Sequence, residues 1–227
     1  LHMAHYAVHS PFQFDPRFKD NYINTDKPQQ AKAYASMIEG VDKSLGDLVS
    51  LIEELNIGEN TLILFLGDNG SDAPLLDLNG YSSSMPLKGK KAMHWEGGMR
   101  VPFVAAWITP QKNYWQSKLP IKSGAVQTQI GTVFDVFSTL VELHNISIPK
   151  THKTDGYSLK KQLKGPKNYK RTNRFLNHYP HDHRSSYFTS LVDNNWKLVH
   201  HYHPENKTKY ELYHLKKDPY EKVDVAK

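Results

Sequence analysis

Thr61-Leu62-Ile63-Leu64-Phe65-Leu66-Gly67-Asp68-Asn69-Gly70 is an unbroken apolar run that stops at two polar side chains set between glycines. A short run of this kind, bounded by turn residues, reads as a strand buried on both faces of an α/β sheet. The preceding residues agree. From Gln29 to Leu55, the residues Ala33, Met37, Val41, Leu45, Leu48 and Ile52 recur at spacings of three and four, which marks one apolar helix face. Gly58 stands where a helix stop is expected. Helix followed by buried strand implies a layered α/β architecture. Polar residues just past the carboxyl end of such a strand sit where open α/β sheets bind ligands.

Working outward, Val101 to Ile108 reads as a second buried strand and Val126 to Leu143 as a helix. Residues 1–8 read as a short strand running into the turn His9-Ser10-Pro11-Phe12. Ser71 to Gly98 is a long loop, and long loops of this type are often functional. After Pro149 the composition turns polar and lysine-rich to residue 173. Three short runs follow, Ser186 to Val192, Trp196 to Val199 and Glu211 to Tyr213, separated by turn residues as in an antiparallel meander. The chain thus divides into an α/β portion, 1–149, and a smaller unit with antiparallel strands, 150–227.

The 227 residues carry a net charge of +6. Such a balance raises the question of nucleic acid. The basic residues are spread along the chain rather than gathered in a stripe, so nucleic acid is not expected as a partner. A solvated basic surface, or a sulfated or phosphorylated substrate, accounts for the charge equally well. No run of apolar residues is long enough to span a bilayer. There are no cysteines, which excludes disulfides and a cysteine nucleophile within this chain. The first nine residues have no basic leader and no cleavage site, and read like the interior of a longer protein.

Three clusters carry chemistry. Asp68 and Asn69 offer a carboxylate and an amide oxygen side by side, hard donors suited to Ca²⁺ or Mg²⁺, although D-N-G is also a common turn. Pro86 to Pro102 surrounds Gly89, Gly97 and Gly98 with Lys88, Lys90, Lys91, His94 and Arg100. An oxyanion would find point charges and exposed N–H groups there; a basic surface loop is the plainer reading. His5 lies within the first predicted strand and His9 follows it.

Together the clusters, in order, resemble the sulfatases of the alkaline-phosphatase superfamily. The matching stretches are H-Y-A-V-H-S-P from His5, the apolar strand ending G-D-N-G, and P-L-K-G-K-K-A-M-H-W-E-G-G-M-R-V-P from Pro86. The tail is similar too, in Asp155-Gly156-Tyr157-Ser158-Leu159, in Trp196-Lys197-Leu198-Val199, and in Glu211-Leu212-Tyr213 running on to Asp218-Pro219-Tyr220-Glu221. The resemblance implies part of a sulfatase-type layered α/β sheet domain followed by a small antiparallel-sheet α+β subdomain. It implies hydrolysis of sulfuric esters of carbohydrates or aryl alcohols. A phosphoryl or phosphonate hydrolase, and a relative that binds sulfated glycans without cleaving them, are the alternatives.

By this resemblance Asp68 and Asn69 hold a divalent cation, Ca²⁺ rather than Mg²⁺. Lys91 contacts the sulfate, with Lys90 as its neighbour one residue away, and His9 serves the leaving group. Glu96 and Arg100 support the site from behind. His178 and His181, in His178-Tyr179-Pro180-His181-Asp182-His183-Arg184, face substrate; H-x-x-H-x-H also suits a transition metal. The family's C/S-x-P-x-R motif, whose Cys or Ser becomes the formylglycine nucleophile, is absent here, as are its paired aspartates. The expectation is therefore the C-terminal portion of a longer enzyme, inactive alone and partnered by its own N-terminal half, with periplasmic or secreted location by family analogy.

Overall fold

The computed structural model describes residues 1–74, 84–109, 111, 113–165, 174–185, 187–204 and 208–226. Its longest element is helix α1, Gln29–Glu54. α1 buries Ala31, Ala33, Tyr34, Ser36 and Met37. Asn56, at φ 55°, turns the chain out of the helix, with the Ile57 N–H donating to Ile52 O. An asparagine in the left-handed region is a common helix ending. The stop thus falls two residues before Gly58, which instead packs against Thr109.

Strands β1 (Leu62–Leu66) and β2 (Phe103–Trp107) form where the apolar runs place them, and they pair antiparallel, Leu62 opposite Trp107 and Leu66 opposite Phe103. They are not buried on both faces. Phe65 and Val104 are partners in the ladder and are 38% and 56% exposed. Among the described residues this sheet has two strands, so each strand lacks a neighbour on one side. Between β1 and β2 lies the one-turn helix α2, Glu96–Met99.

Two further expectations need correction. Residues 1–8 form no strand, because no described strand pairs with them; the His9 N–H instead closes a turn onto Tyr6 O. The predicted helix over 126–143 is shortened. After α3 (Tyr114–Lys118), helix α4 spans only Asp135–Leu143. The Asp135 carboxylate accepts from the Thr132 N–H at 2.7 Å and the Gln127 side chain binds the Thr128 and Gln129 N–H groups. These local bonds occupy donors that a longer helix would need.

Asp155 to Leu159 docks onto α4. Asp135 accepts from the Tyr157 N–H at 2.7 Å and Thr139 Oγ1 accepts from the Leu159 N–H at 2.8 Å. A Cβ on Gly156 would lie 2.0 Å from Phe134 O, so only glycine permits this approach. A short helix α5, Lys160–Leu163, follows. The C-terminal sheet is antiparallel throughout, in the order β3 (Arg174–Tyr179), β4 (Phe188–Asp193), β5 (Trp196–His201), β6 (Tyr210–His214). Asn194, at φ 55°, turns the β4–β5 hairpin. The sequence reading missed β3. The pleat sets Phe188, Ser190, Val192, Lys197, Val199, His201 and Tyr213 on the buried face. Leu176, Leu191, Leu198 and Leu212 stand in register on the other.

Candidate active site

The end of β1 and the loop before β2 interlock through glycines. The Gly70 N–H donates to Gly98 O at 3.0 Å, the Lys91 N–H to Ser71 O at 2.9 Å, and the Gly97 N–H to Lys88 O at 2.7 Å. A Cβ on Gly70 would stand 2.3 Å from Gly97 O, one on Gly97 2.4 Å from Gly89 O, and one on Gly98 2.4 Å from Met93 O. The neighbours are backbone atoms and cannot swing aside. The glycines let two loops approach closely, and the approach ties the turn that carries Asp68 and Asn69 to the loop that carries Lys91. Behind them, Tyr34 of α1 hydrogen-bonds Ser71 at 3.2 Å.

Asp68 and Asn69 are exposed. Asp68 Oδ1 accepts from the Asn69 N–H, and the Asn69 amide nitrogen donates to Gly70 O, which directs the hard oxygen of Asn69 elsewhere. This donor chemistry fits a divalent oxygen-liganded cation, and two ligands are a minority of the six to eight that Ca²⁺ takes. Lys88 lies over the Trp95 ring at 4.2 Å. Among the described residues neither Lys90 nor Lys91 forms an ion pair, so both ammonium groups remain available to an anion.

Glu96 is tied into the C-terminal sheet rather than into the loop. Its Oε1 accepts from Lys197 Nζ at 3.1 Å, its N–H donates to Glu221 Oε2 at 2.6 Å, and Lys197 reaches Glu221 at 2.8 Å. Lys197 and Glu221 are shut off from water. Burial pushes the Glu221 carboxyl up, against the pull of Lys197. Arg100 is exposed and 3.9 Å from Glu96. Next to this cluster, His94 Nδ1 meets Ser185 Oγ at 3.1 Å and its Nε2 meets Glu211 at 3.2 Å.

The segment after β3 is fastened to the same place, since Arg184 forms an ion pair with Asp72 and Ser185 holds His94. His181 sits in this segment, its ring against Tyr179. His178 does not join it. Register sets His178 opposite Thr189, on the sheet face turned away from His94, where it bonds Thr189 and touches Tyr202. His178, His181 and His183 do not converge as one metal set. His9 is exposed and bonded to Ser10, while His5 bonds Ser44 of α1. The described bonds of this N-terminal segment run to itself and α1, not to the Lys91 loop. Lys197, Glu211 and Glu221 were overlooked as site supports. The signal was an inward-facing lysine in Trp196-Lys197-Leu198-Val199, which alternation places on the apolar face.

Paired oxygen donors stand at the carboxyl end of a strand in an α/β protein, on a glycine turn interlocked with a lysine-bearing loop. The chain belongs to the sulfatase family: the Sulfatase family model matches residues 1–146, and the model for the C-terminal part of N-sulphoglucosamine sulphohydrolase matches residues 87–227. It is 31% identical over 159 residues to N-acetylgalactosamine-6-sulfatase of Sus scrofa, covering 70% of this chain and 27% of that protein. It is 30% identical over 154 residues to steryl-sulfatase of Homo sapiens, covering 66% and 24%. Among solved structures, Ps i-CgsB superposes with a TM-score of 0.75 at 24% identity, over 98% of this chain and 45% of that one. PsFucS1 sulfatase from Pseudoalteromonas sp. gives 0.66 at 24%, over 96% and 42%. The chain thus spans about a quarter of the length of these curated relatives and under half of these solved chains. No helix among the described residues is long and apolar enough to cross a membrane.

Proposed function

We propose that the protein to which this chain belongs hydrolyses sulfuric esters, and that the chain supplies one wall of its active site. One observation carries the reading: the interlocked glycines that hold the Asp68–Asn69 turn against the Lys91 loop, through Gly70 N–H to Gly98 O and Lys91 N–H to Ser71 O. Asp68 and Asn69 would contribute two oxygen ligands to a Ca²⁺ ion, which when bound would neutralise charge on the sulfate oxygens. Lys91 holds a sulfate oxygen and stabilises the charge that builds on it as the ester bond breaks. Lys90 stands ready one residue away. His9 donates a proton to the departing alkoxide. His181 touches substrate from the segment that Arg184 and Ser185 fasten beside the loop; the outward-facing His178 is left out of this set. Glu96 carries the loop rather than contacting substrate, and Arg100 flanks it.

The nucleophile lies outside this chain, whose sequence has no cysteine and no S-x-P-x-R. The reading therefore requires an N-terminal portion that brings formylglycine and the remaining cation ligands. It also keeps a boundary near residue 150, supported by the two sheets falling on either side of it. A sulfated carbohydrate is the favoured substrate class. Relatives named for N-acetylgalactosamine sulfate, and Ps i-CgsB solved with k-i-k-neocarrahexaose, support that class. Periplasmic or secreted location accompanies this reading. The test is Lys91→Ala in the protein extended upstream through its C/S-x-P-x-R motif. Activity on an aryl sulfate should fall roughly 100-fold or more in kcat, the cost of losing one charge-stabilising donor. Unchanged kcat/KM overturns the role of Lys91, and activity on a phosphate ester alone overturns the sulfatase reading.

A further inference from the structure

Two histidines and a glutamate meet in the buried layer between the Lys91 loop and the C-terminal sheet, at a place the proposed ester hydrolysis does not use. His94 comes from the loop, His201 from β5 and Glu211 from β6. One potential ligand atom from each lies within 4.8 Å of the others, and among the described residues no other set of three His, Asp or Glu side chains converges so closely. His94 and His201 are 4% and 1% exposed.

The details favour a metal ion over a chance gathering. Both Nε2 atoms point at the same carboxylate, His94 at 3.2 Å from Oε2 and His201 at 3.1 Å from Oε1. These two spacings match adjacent donors of four-coordinate zinc with bonds of about 2.0–2.1 Å, while they run to different carboxylate oxygens and the whole set lies within 4.8 Å. The outer contacts are those of a ligand set. His94 Nδ1 is held by Ser185 Oγ at 3.1 Å, which leaves Nε2 for a metal, and Glu211 Oε2 accepts from Tyr213 Oη at 2.8 Å. Partners of this kind fix the orientation of metal-bound imidazoles and carboxylates. The nearest cation, Lys197, is already spent on Glu96 and Glu221.

We propose that His94, His201 and Glu211 form a structural site for a borderline transition metal, Zn²⁺ above all, which clips the Lys91 loop to the C-terminal sheet. Two imidazoles and a carboxylate select such a metal over Ca²⁺ or Mg²⁺. The site is separate from the Asp68–Asn69 pair and does not depend on the hydrolytic reading.

The test uses the 227-residue chain, stripped with a chelator and titrated calorimetrically with ZnCl₂ in the presence of excess Ca²⁺. One Zn²⁺ per chain is expected. His94→Asn and Glu211→Gln should abolish it, and Ser185→Ala should weaken it by roughly 10- to 100-fold, the cost of an outer partner. His181→Asn with His183→Asn should leave it intact. Where a variant fails to fold, Co²⁺ bound to the unaltered chain decides: the intense visible band of a four- or five-coordinate ion supports the site, and the weak band of an octahedral ion overturns it. No binding, or binding lost only with the exposed histidines, also overturns it. The triad is then a hydrogen-bonded clip of neutral imidazoles on a carboxylate.

Discussion

Two glycines show how differently one residue type can serve this chain. Gly98 lies where a Cβ would stand 2.4 Å from Met93 O and 2.5 Å from Lys90 O. Gly46, inside α1, has nothing within 4 Å of its would-be Cβ. Gly98→Ala must push the 88–93 backbone outward and carry Lys91 with it. Overpacking against rigid backbone costs about 3 kcal/mol. Gly46→Ala removes only the entropic cost of a helical glycine and should stabilise by about 0.5–1 kcal/mol. Denaturant midpoints of the two variants should shift in opposite directions. The sequence alone shows both as glycines; the tight contact at Gly98 became visible only when the opposing loop was in place.

At the scale of elements, α2 has a single turn and cannot hold itself together. Its first N–H donates to Glu221, its Glu96 side chain accepts from Lys197 of β5, and Ser190 of β4 reaches Met99. The sheet supplies the order that the helix lacks. Lys197→Met should therefore do more than remove a contact, because Glu96 and Glu221 would be left as two buried carboxylates without the cation they share, and only the exposed Arg100 would stay near Glu96 at 3.9 Å. Breaking such a pair costs about 3–5 kcal/mol. Lys197→Met combined with Glu96→Gln and Glu221→Gln should recover much of that loss in thermal melts. A triple variant no more stable than the single one would sink this account. Legibility follows the same logic. α1, β1, β2, β4, β5 and β6 could be read because their signals are local, an apolar period of 3.6 or a run closed by turns. The turn that carries Asp68 and Asn69 could be read because Gly67 and Gly70 flank it, whereas Lys91 was singled out by the resemblance of its loop. The strand expected over 1–8 failed, since a strand needs a partner and none of the described strands provides one. β3 was missed because Arg174-Phe175-Leu176-Asn177-His178-Tyr179 mixes polar and aromatic residues and gains its order from pairing with β4. The His94–His201–Glu211 convergence joins His94 to two residues more than a hundred positions later in sequence. The H-x-x-H-x-H run, which looks like a metal motif, sets His178 on β3 against Thr189 and His181 past the strand end against Tyr179 instead.

The molecule as a whole leaves a large apolar area in water. Phe65, Phe103 and Val104 of the two-stranded sheet are exposed, as are Ile38 and Leu51 along α1 and Leu55 just past its end. Each strand of that sheet also has a free edge among the described residues, and an apolar sheet with an unpaired edge invites pairing with another chain. Like charge opposes the approach, since every copy carries a net +6. The two effects respond differently to salt. Added salt screens the repulsion, the Debye length falling from about 30 Å at 0.01 M to about 3 Å at 1 M, while burial of apolar surface persists. Sedimentation of the 227-residue chain should thus show association that grows with both concentration and ionic strength. Phe65→Lys and Val104→Lys together place two cations on the exposed sheet face and should return the chain to monomer at moderate salt. They should leave the C-terminal sheet, and any Zn²⁺ bound at His94, His201 and Glu211, undisturbed. Association that instead weakens with salt would mean charge pairing between copies, and the apolar face would lose its role. Addition of an N-terminal portion bearing the formylglycine motif supplies the decisive contrast. If that portion packs on β1, β2 and α1, the mixed species should be a salt-insensitive one-to-one complex in which Phe65 and Val104 no longer exchange with solvent.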